Sequence, residues 1–207
     1  MWLYGFGKAV VGVLYRLIYR IEAEGVEHIP TTGGVILCSN HINAQDPLII
    51  GIACPRPVCF MAKEELFRSR FLSFIIRGLG AFPVKRSTAD RASLKHALAL
   101  LAEGNCFGIF PEGTRSATGL MQKPEPGTAY IALKAGVPVI PVGISTTYKL
   151  FRPIRIRFGP PVDLERFRTG KLNGATLEMA SEAIMDAISH LLDPPQGLPT
   201  ASGRGSS

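Results

Sequence analysis

A chain of 207 residues with 46% hydrophobic content holds enough apolar material for one domain whose core needs no disulfide staples. Its four cysteines, Cys38, Cys54, Cys59 and Cys106, sit singly in apolar runs without Cys-x2-Cys spacing or a neighbouring histidine. That speaks against a zinc site or a disulfide scaffold and for buried free thiols in a reducing compartment. The net charge of +7 suits an anionic membrane, a phosphorylated substrate or nucleic acid. The cations, however, alternate with large apolar residues, as across residues 66–77, rather than with exposed aromatics on a polar strand, so nucleic acid is the poorest fit.

Residues 1–20 carry Trp2 and several Tyr, Leu and Val residues but are broken by Lys8, Arg16 and Arg20, so no uncharged run reaches the roughly twenty residues that a bilayer crossing needs. No small-residue cleavage signal follows. An interfacial helix over residues 1–25, its cations reaching toward headgroups, is one reading, and a helix packed on the domain's own core is the other. Residues 35–39 form an apolar run bounded by Gly33-Gly34 and a polar loop, which predicts a buried strand. In the loop lie His41 and Asp46. Asp46 before Pro47 reads as the N-cap of a helix over 46–53. On one continuous helix a five-residue offset would splay the two side chains about 140° apart, whereas a loop lets the carboxylate fold back on the imidazole. It would then hold one ring nitrogen as N–H and leave the other as a general base, although a polar capping pair would look the same in sequence.

A strand over 58–62 leads into a basic, apolar helix over 66–77. Residues 80–86, Gly-Ala-Phe-Pro-Val-Lys-Arg, are a short apolar segment ending in two cations. Leucines and alanines at helical spacing predict a helix over 88–102, closed by Gly104, then a strand over 106–110. The turn Pro111-Glu112-Gly113-Thr114-Arg115-Ser116 supplies hydroxyls and a guanidinium fork suited to an anion. A helix over 128–135 stopped by Gly136, a strand over 139–144 and a last helix over 177–192 follow. Residues 154–158 alternate apolar with basic, which predicts a strand with one wet face at a sheet edge. Residues 193–207 are rich in Pro, Gly and Ser and read as a disordered tail. The whole predicts an α/β fold, one domain over 26–192 with a mostly parallel or mixed central sheet flanked by helices. Loops leaving the carboxyl ends of its strands would form the ligand crevice.

Taken together, Asn40-His41 with Asp46, the unbroken Phe110 to Ser116 run, and Val137-Pro138 with Pro141-Val142 resemble the sequence blocks of the glycerolipid acyltransferase family, in that family's order. The second block departs: Gly80 and Arg86 fit, but Pro83 stands where Phe is expected and Phe82 lies one place earlier. The resemblance covers about residues 33–160. It implies transfer of a fatty acyl group from a thioester, on coenzyme A or acyl carrier protein, to the sn-2 hydroxyl of 1-acyl-glycerol 3-phosphate, with no cofactor and no metal. His41 and Asp46 would be catalytic, and Arg86, Glu112, Gly113, Thr114 and Arg115 would bind the acceptor and its phosphate. A carboxylate beside a phosphate is unhelpful, so Glu112 is expected to orient Arg115 or the glycerol hydroxyls. Lysophospholipid and membrane would be the partners, no nucleic acid among them, with the protein peripheral or monotopic on the cytoplasmic face of the cell membrane. The alternatives are glycerol 3-phosphate or another lysolipid as acceptor, or a non-catalytic protein of anionic membranes.

Overall fold

The computed structural model describes residues 2–70, 73, 76, 77, 80–84, 91–169 and 171–193. Its centre is strand β2 (Val35–Ser39), in which all five residues are buried because both faces of the sheet are covered. Around it the sheet runs β1 (Arg20–Glu24), β7 (Pro153–Phe158), β6 (Val139–Ser145), β2, β5 (Cys106–Ile109), β3 (Val58–Lys63) and β4 (Ala81–Val84), seven strands in that spatial order. From β6 to β4 every pairing is parallel, and only β6 against β7 is antiparallel. From β2 the chain leaves outward to β3 and β4, returns as β5 on one side of β2, and then crosses to β6 on the other. β2 is therefore a switch point, where an open parallel sheet leaves a crevice at its carboxyl edge.

The side chains of β2 alternate between two cores. Ile36 and Cys38 pack with α3 (Arg91–Ala102), α4 (Pro126–Ala135) and α5 (Gly174–Ser189) through Leu101, Ile131, Ala180 and Ile184. Val35 and Leu37 face α2 (Asp46–Ala53) through Ile49, Ile50 and Cys54. α1 (Trp2–Ile18) lies beyond α2: Gly12 meets the Ile52 side chain at 3.8 Å from a notional Cβ, and Lys8 donates to the Cys54 carbonyl. The helix does not choose between lipid and core, since an inner face packs on the domain while Val10, Val13, Leu14 and Leu17, spaced i, i+3, i+4, i+7, stay exposed. Among the described residues no helix is long and apolar enough to cross a membrane. The four cysteines are free thiols.

The sequence reading needs three corrections. The alternation in 154–158 does give one wet face, with Ile154, Ile156 and Phe158 buried, but β7 is not an edge strand. β1 pairs with it in parallel, placing Glu22 beside Arg155 and Glu24 beside Arg157, each ion pair at 3.1 Å. Second, the N-terminal helix ends at Ile18, and residues 20–24, read as part of a helical segment, are that sheet strand. Third, Asp46 is the first residue of α2 rather than its cap, which is Gln45. At the start of the basic helix expected over 66–77, Glu64–Phe67 is a 3-10 turn; beyond it Arg70, Ser73, Ile76 and Arg77 are helical, and residues 71, 72, 74 and 75 lie outside the described residues. Residues 85–90, which include Arg86, and the tail from 194 onward lie outside the described residues.

Candidate active site

Three loops leave the carboxyl edge of the sheet side by side, after β2, β5 and β6. Asn40 ends the first strand's run and pins its loop to β6: its side-chain amide donates to the Ile144 carbonyl at 3.0 Å and accepts from the Ile144 N–H at 2.8 Å. His41 follows. Asp46 sits at the start of α2, where the helix end favours a negative charge, and its carboxylate turns back on the preceding loop. Oδ2 accepts from His41 Nδ1 at 2.8 Å and from the Ile42 and Asn43 amides at 2.7 Å each. Oδ1 accepts from the Tyr148 hydroxyl. A fully buried carboxylate is tolerated because four donors meet it. A carboxylate oxygen accepts, so the bond to Asp46 places a ring proton on Nδ1 and leaves Nε2 outside that pairing.

His41, 8% exposed, stacks its ring on Phe110 with centroids 4.0 Å apart, and Phe110 in turn stacks on Phe60 at 5.9 Å. Room for the Phe60 ring comes from Gly108, where an added Cβ would stand 2.2 Å from Phe60 Cε1. Gly108→Ala therefore pushes the ring pile under His41. The expected result is a loss of about 1–3 kcal/mol, as for other overpacked cores, read as a lower denaturation midpoint, together with slower turnover.

The turn after β5 closes on the same histidine. Glu112 Oε1 accepts from the His41 N–H at 2.9 Å, Oε2 accepts from the Gln122 N–H at 2.9 Å, and the Ser116 N–H donates to the His41 carbonyl at 2.8 Å. Both backbone groups of His41 are thus fixed by this turn. Glu112, 4% exposed, makes no bond to the Arg115 guanidinium; of the two roles expected for it, orienting Arg115 or the glycerol hydroxyls, the first is not seen, and its oxygens hold two loops together. Gly113, at φ 66°, takes a left-handed conformation that turns the chain outward, and Gly113, Thr114 and Arg115 are exposed. The Arg115 guanidinium has no acidic partner among the described residues, leaving its fork open to an anion. Pro141 and Val142 are buried in β6 beside Cys38 and Ser39 of β2, a packing role, and Pro141 lies inside the strand rather than at its rim.

Residues 20–145 match the model of the family described as Acyltransferase. The chain belongs to that acyltransferase family. It is 34% identical over 134 residues to the 1-acyl-sn-glycerol-3-phosphate acyltransferase of Borreliella burgdorferi, covering 64% of this chain and 54% of that one. To the enzyme of the same name from Bacillus subtilis it is 28% identical over 171 residues, 82% of this chain and 78% of that one. The chain thus spans little more than half the length of the Borreliella relative. The crystal structure of the 1-acyl-sn-glycerophosphate acyltransferase PlsC from Thermotoga maritima superposes with a TM-score of 0.70 at 28% identity, covering 91% of this chain and 76% of that one.

Tyr148 is a residue of this acyltransferase that the sequence reading missed. It follows β6 at φ 53°, with its N–H held by Thr146 Oγ1 at 3.1 Å, and its ring meets Tyr19 edge-on at 6.3 Å. Burial pushes its hydroxyl pKa up, and the Asp46 charge pushes it further, so it stays a donor. Tyr15 completes the wall by donating to Gln45 Oε1 at 2.7 Å. No sequence motif marks Tyr148; only its place just past a strand end, at the edge shared by the other two loops, would have suggested it. Beside His41 a cavity of about 210 Å³ is bordered by Met61, Leu94, Phe110, Glu125 and Thr128. A second, almost wholly apolar groove of about 250 Å³ runs between α1, α2 and β3, lined by Val11, Pro47, Leu48, Ile52, Phe60 and Leu66. Among the described residues no cluster of His, Cys, Asp and Glu is arranged to hold a metal.

Proposed function

We propose that this acyltransferase moves a fatty acyl group from a thioester, carried by coenzyme A or acyl carrier protein, to the sn-2 hydroxyl of 1-acyl-glycerol 3-phosphate, giving phosphatidic acid for phospholipid synthesis. One observation carries the reading: a base-competent imidazole, its Nδ1 fixed by a buried carboxylate, at the carboxyl edge of the sheet in a chain of this family. Relatives named for that reaction support the acceptor. His41 Nε2 takes the hydroxyl proton as the oxygen attacks the thioester carbonyl, Asp46 stabilises the imidazolium, and the departing thiolate recovers the proton as the C–S bond breaks. No acyl-enzyme is needed, because a thiolate leaves readily.

Arg115, with Arg86 by family resemblance, would grip the acceptor phosphate in charge-assisted bonds. Gly113 and Thr114 shape that exposed turn, and Glu112 ties it to His41. The apolar groove beside Pro47 gives an acyl chain a dry path. The exposed stripe of α1 would lie in the cytoplasmic surface of the cell membrane, attached to a single catalytic domain. A purely lipid-binding role explains the cations but not a carboxylate buried against an imidazole.

The direct test supplies purified protein with lysophosphatidate and each donor in turn, with glycerol 3-phosphate and other lysolipids as competing acceptors. Phosphatidic acid is expected from lysophosphatidate at the highest kcat/KM, and no transfer to any acceptor would remove the reading. Arg115→Ala is expected to raise the KM for the phosphorylated acceptor roughly tenfold or more while leaving the donor KM within about twofold, the cost of a lost charge-assisted contact. Equal effects on both substrates would place the phosphate elsewhere.

A further inference from the structure

The largest exposed apolar side chains outside α1 include a neighbouring pair, Leu150 at 66% and Phe151 at 81%, in the loop between β6 and β7. The pair is not scattered surface. The Phe151 N–H donates to the Ile18 carbonyl at 2.9 Å, so the loop tip abuts the end of α1, whose Leu17 is 71% exposed. That bond sets Leu150 and Phe151 next to the end of the helix that exposes Val10, Val13, Leu14 and Leu17, so two distant parts of the chain bring exposed apolar side chains to one end of α1. Tyr148 and Phe151 both hold positive φ, at 53° and 59°, a conformation that non-glycine residues adopt only where surrounding contacts impose it. Those contacts are the Thr146 hydroxyl on the Tyr148 N–H, the Arg152 N–H on the Lys149 carbonyl at 3.1 Å, and the bond to Ile18. A large aromatic displayed to water by a constrained backbone points to a partner that takes it up.

The rim says which partner. Arg16, Lys149 and Arg152 are exposed and make no ion pair among the described residues, and Arg20 pairs only with Glu22 while staying 80% exposed. Cations around an apolar centre complement an anionic lipid headgroup layer with hydrocarbon beneath it.

We propose that the β6–β7 loop is a second membrane-contacting element, inserting Leu150 and Phe151 into an anionic phospholipid bilayer beside the outer stripe of α1. The same loop carries Tyr148, three residues before Phe151, to the Asp46 carboxylate, so the lipid contact and the His41–Asp46 pair share one short, constrained segment. The inference deepens the lipid-directed reading above, yet its readout uses no substrate.

The experiment uses the full chain with Trp2→Phe and Phe151→Trp, so that the single tryptophan reports the loop. Vesicles of phosphatidylcholine with phosphatidylglycerol are expected to shift its emission to the blue, and brominated acyl chains to quench it, with a weaker response on phosphatidylcholine alone. Unshifted emission from protein that sediments with the vesicles, or failure to sediment at all, overturns the proposal. In the otherwise native chain, Leu150→Asp with Phe151→Asp is expected to weaken vesicle partition roughly tenfold or more at an unchanged melting temperature, since both side chains already face water. Unchanged partition overturns the proposal as well. Acyl transfer is measured separately on the native chain: its absence alongside a positive loop signal would remove the enzymatic reading and leave the lipid contact standing.

Discussion

His41→Ala protein is expected to fold and to lose acyl transfer by between about a hundredfold and ten-thousandfold, the range that a positioned general base contributes. The fold survives because what locates residue 41 is its backbone. The N–H to Glu112 and the carbonyl from Ser116 do not depend on the imidazole, and Asn40 still ties the loop to Ile144. Asp46 keeps the Ile42 and Asn43 amides and the Tyr148 hydroxyl. Loss of the stack on Phe110 and of one charge-assisted bond lowers stability by about 1–3 kcal/mol, small enough to leave a cooperative melt. The decisive comparison is kcat measured on protein shown folded by circular dichroism. Turnover within tenfold of the native value would mean that another group takes the hydroxyl proton.

Much of this architecture was legible because single residues punctuate it. The uninterrupted apolar run 35–39 marked a strand covered on both faces, Gly104 and Gly136 closed their helices, and Pro47 announced α2. The fold-back of Asp46 onto His41 followed from placing the pair in a loop rather than on a helix. What escaped depends on partners distant in sequence. Residues 20–24 alternate Ile21 and Ala23 with Glu22 and Glu24, a short pattern hidden behind an apolar helix. Its meaning as a strand emerges only when the glutamates are set against Arg155 and Arg157, more than 130 positions later. Missing β1 also exposed β7 falsely as an edge. Glu112 was expected, from the family resemblance, to orient Arg115 or the glycerol hydroxyls, and sequence does not reveal that its oxygens also accept from the His41 and Gln122 amides. Tyr148 escaped for the same reason, since its role exists only through Asp46.

Asp46→Asn separates the electrostatic role of this residue from its structural one. An asparagine has one carbonyl oxygen, and the best fit sets it where Oδ2 now accepts from His41 Nδ1, Ile42 N–H and Asn43 N–H. Its amide nitrogen then faces Tyr148, whose hydroxyl can rotate from donor to acceptor, so every hydrogen bond retains a geometric solution. The expected cost is the difference between charged and neutral hydrogen bonds, about 1–3 kcal/mol. Asp46→Ala, by contrast, strands the Ile42 and Asn43 amides beside a fully buried site and is expected to cost about 3–5 kcal/mol, as when one partner of a buried pair is removed. Catalysis should diverge from stability. With asparagine, Nδ1 still donates and the tautomer is kept, but the imidazolium formed as the hydroxyl is deprotonated no longer faces a negative charge. The expected loss in kcat is about a hundredfold to a thousandfold, below the ten-thousandfold seen where such a change also reverses the tautomer. KM for both substrates should stay within about threefold, because Asp46 is reached only through protein groups. Folded Asp46→Asn protein turning over at the native rate would leave the carboxylate as a loop latch and nothing more.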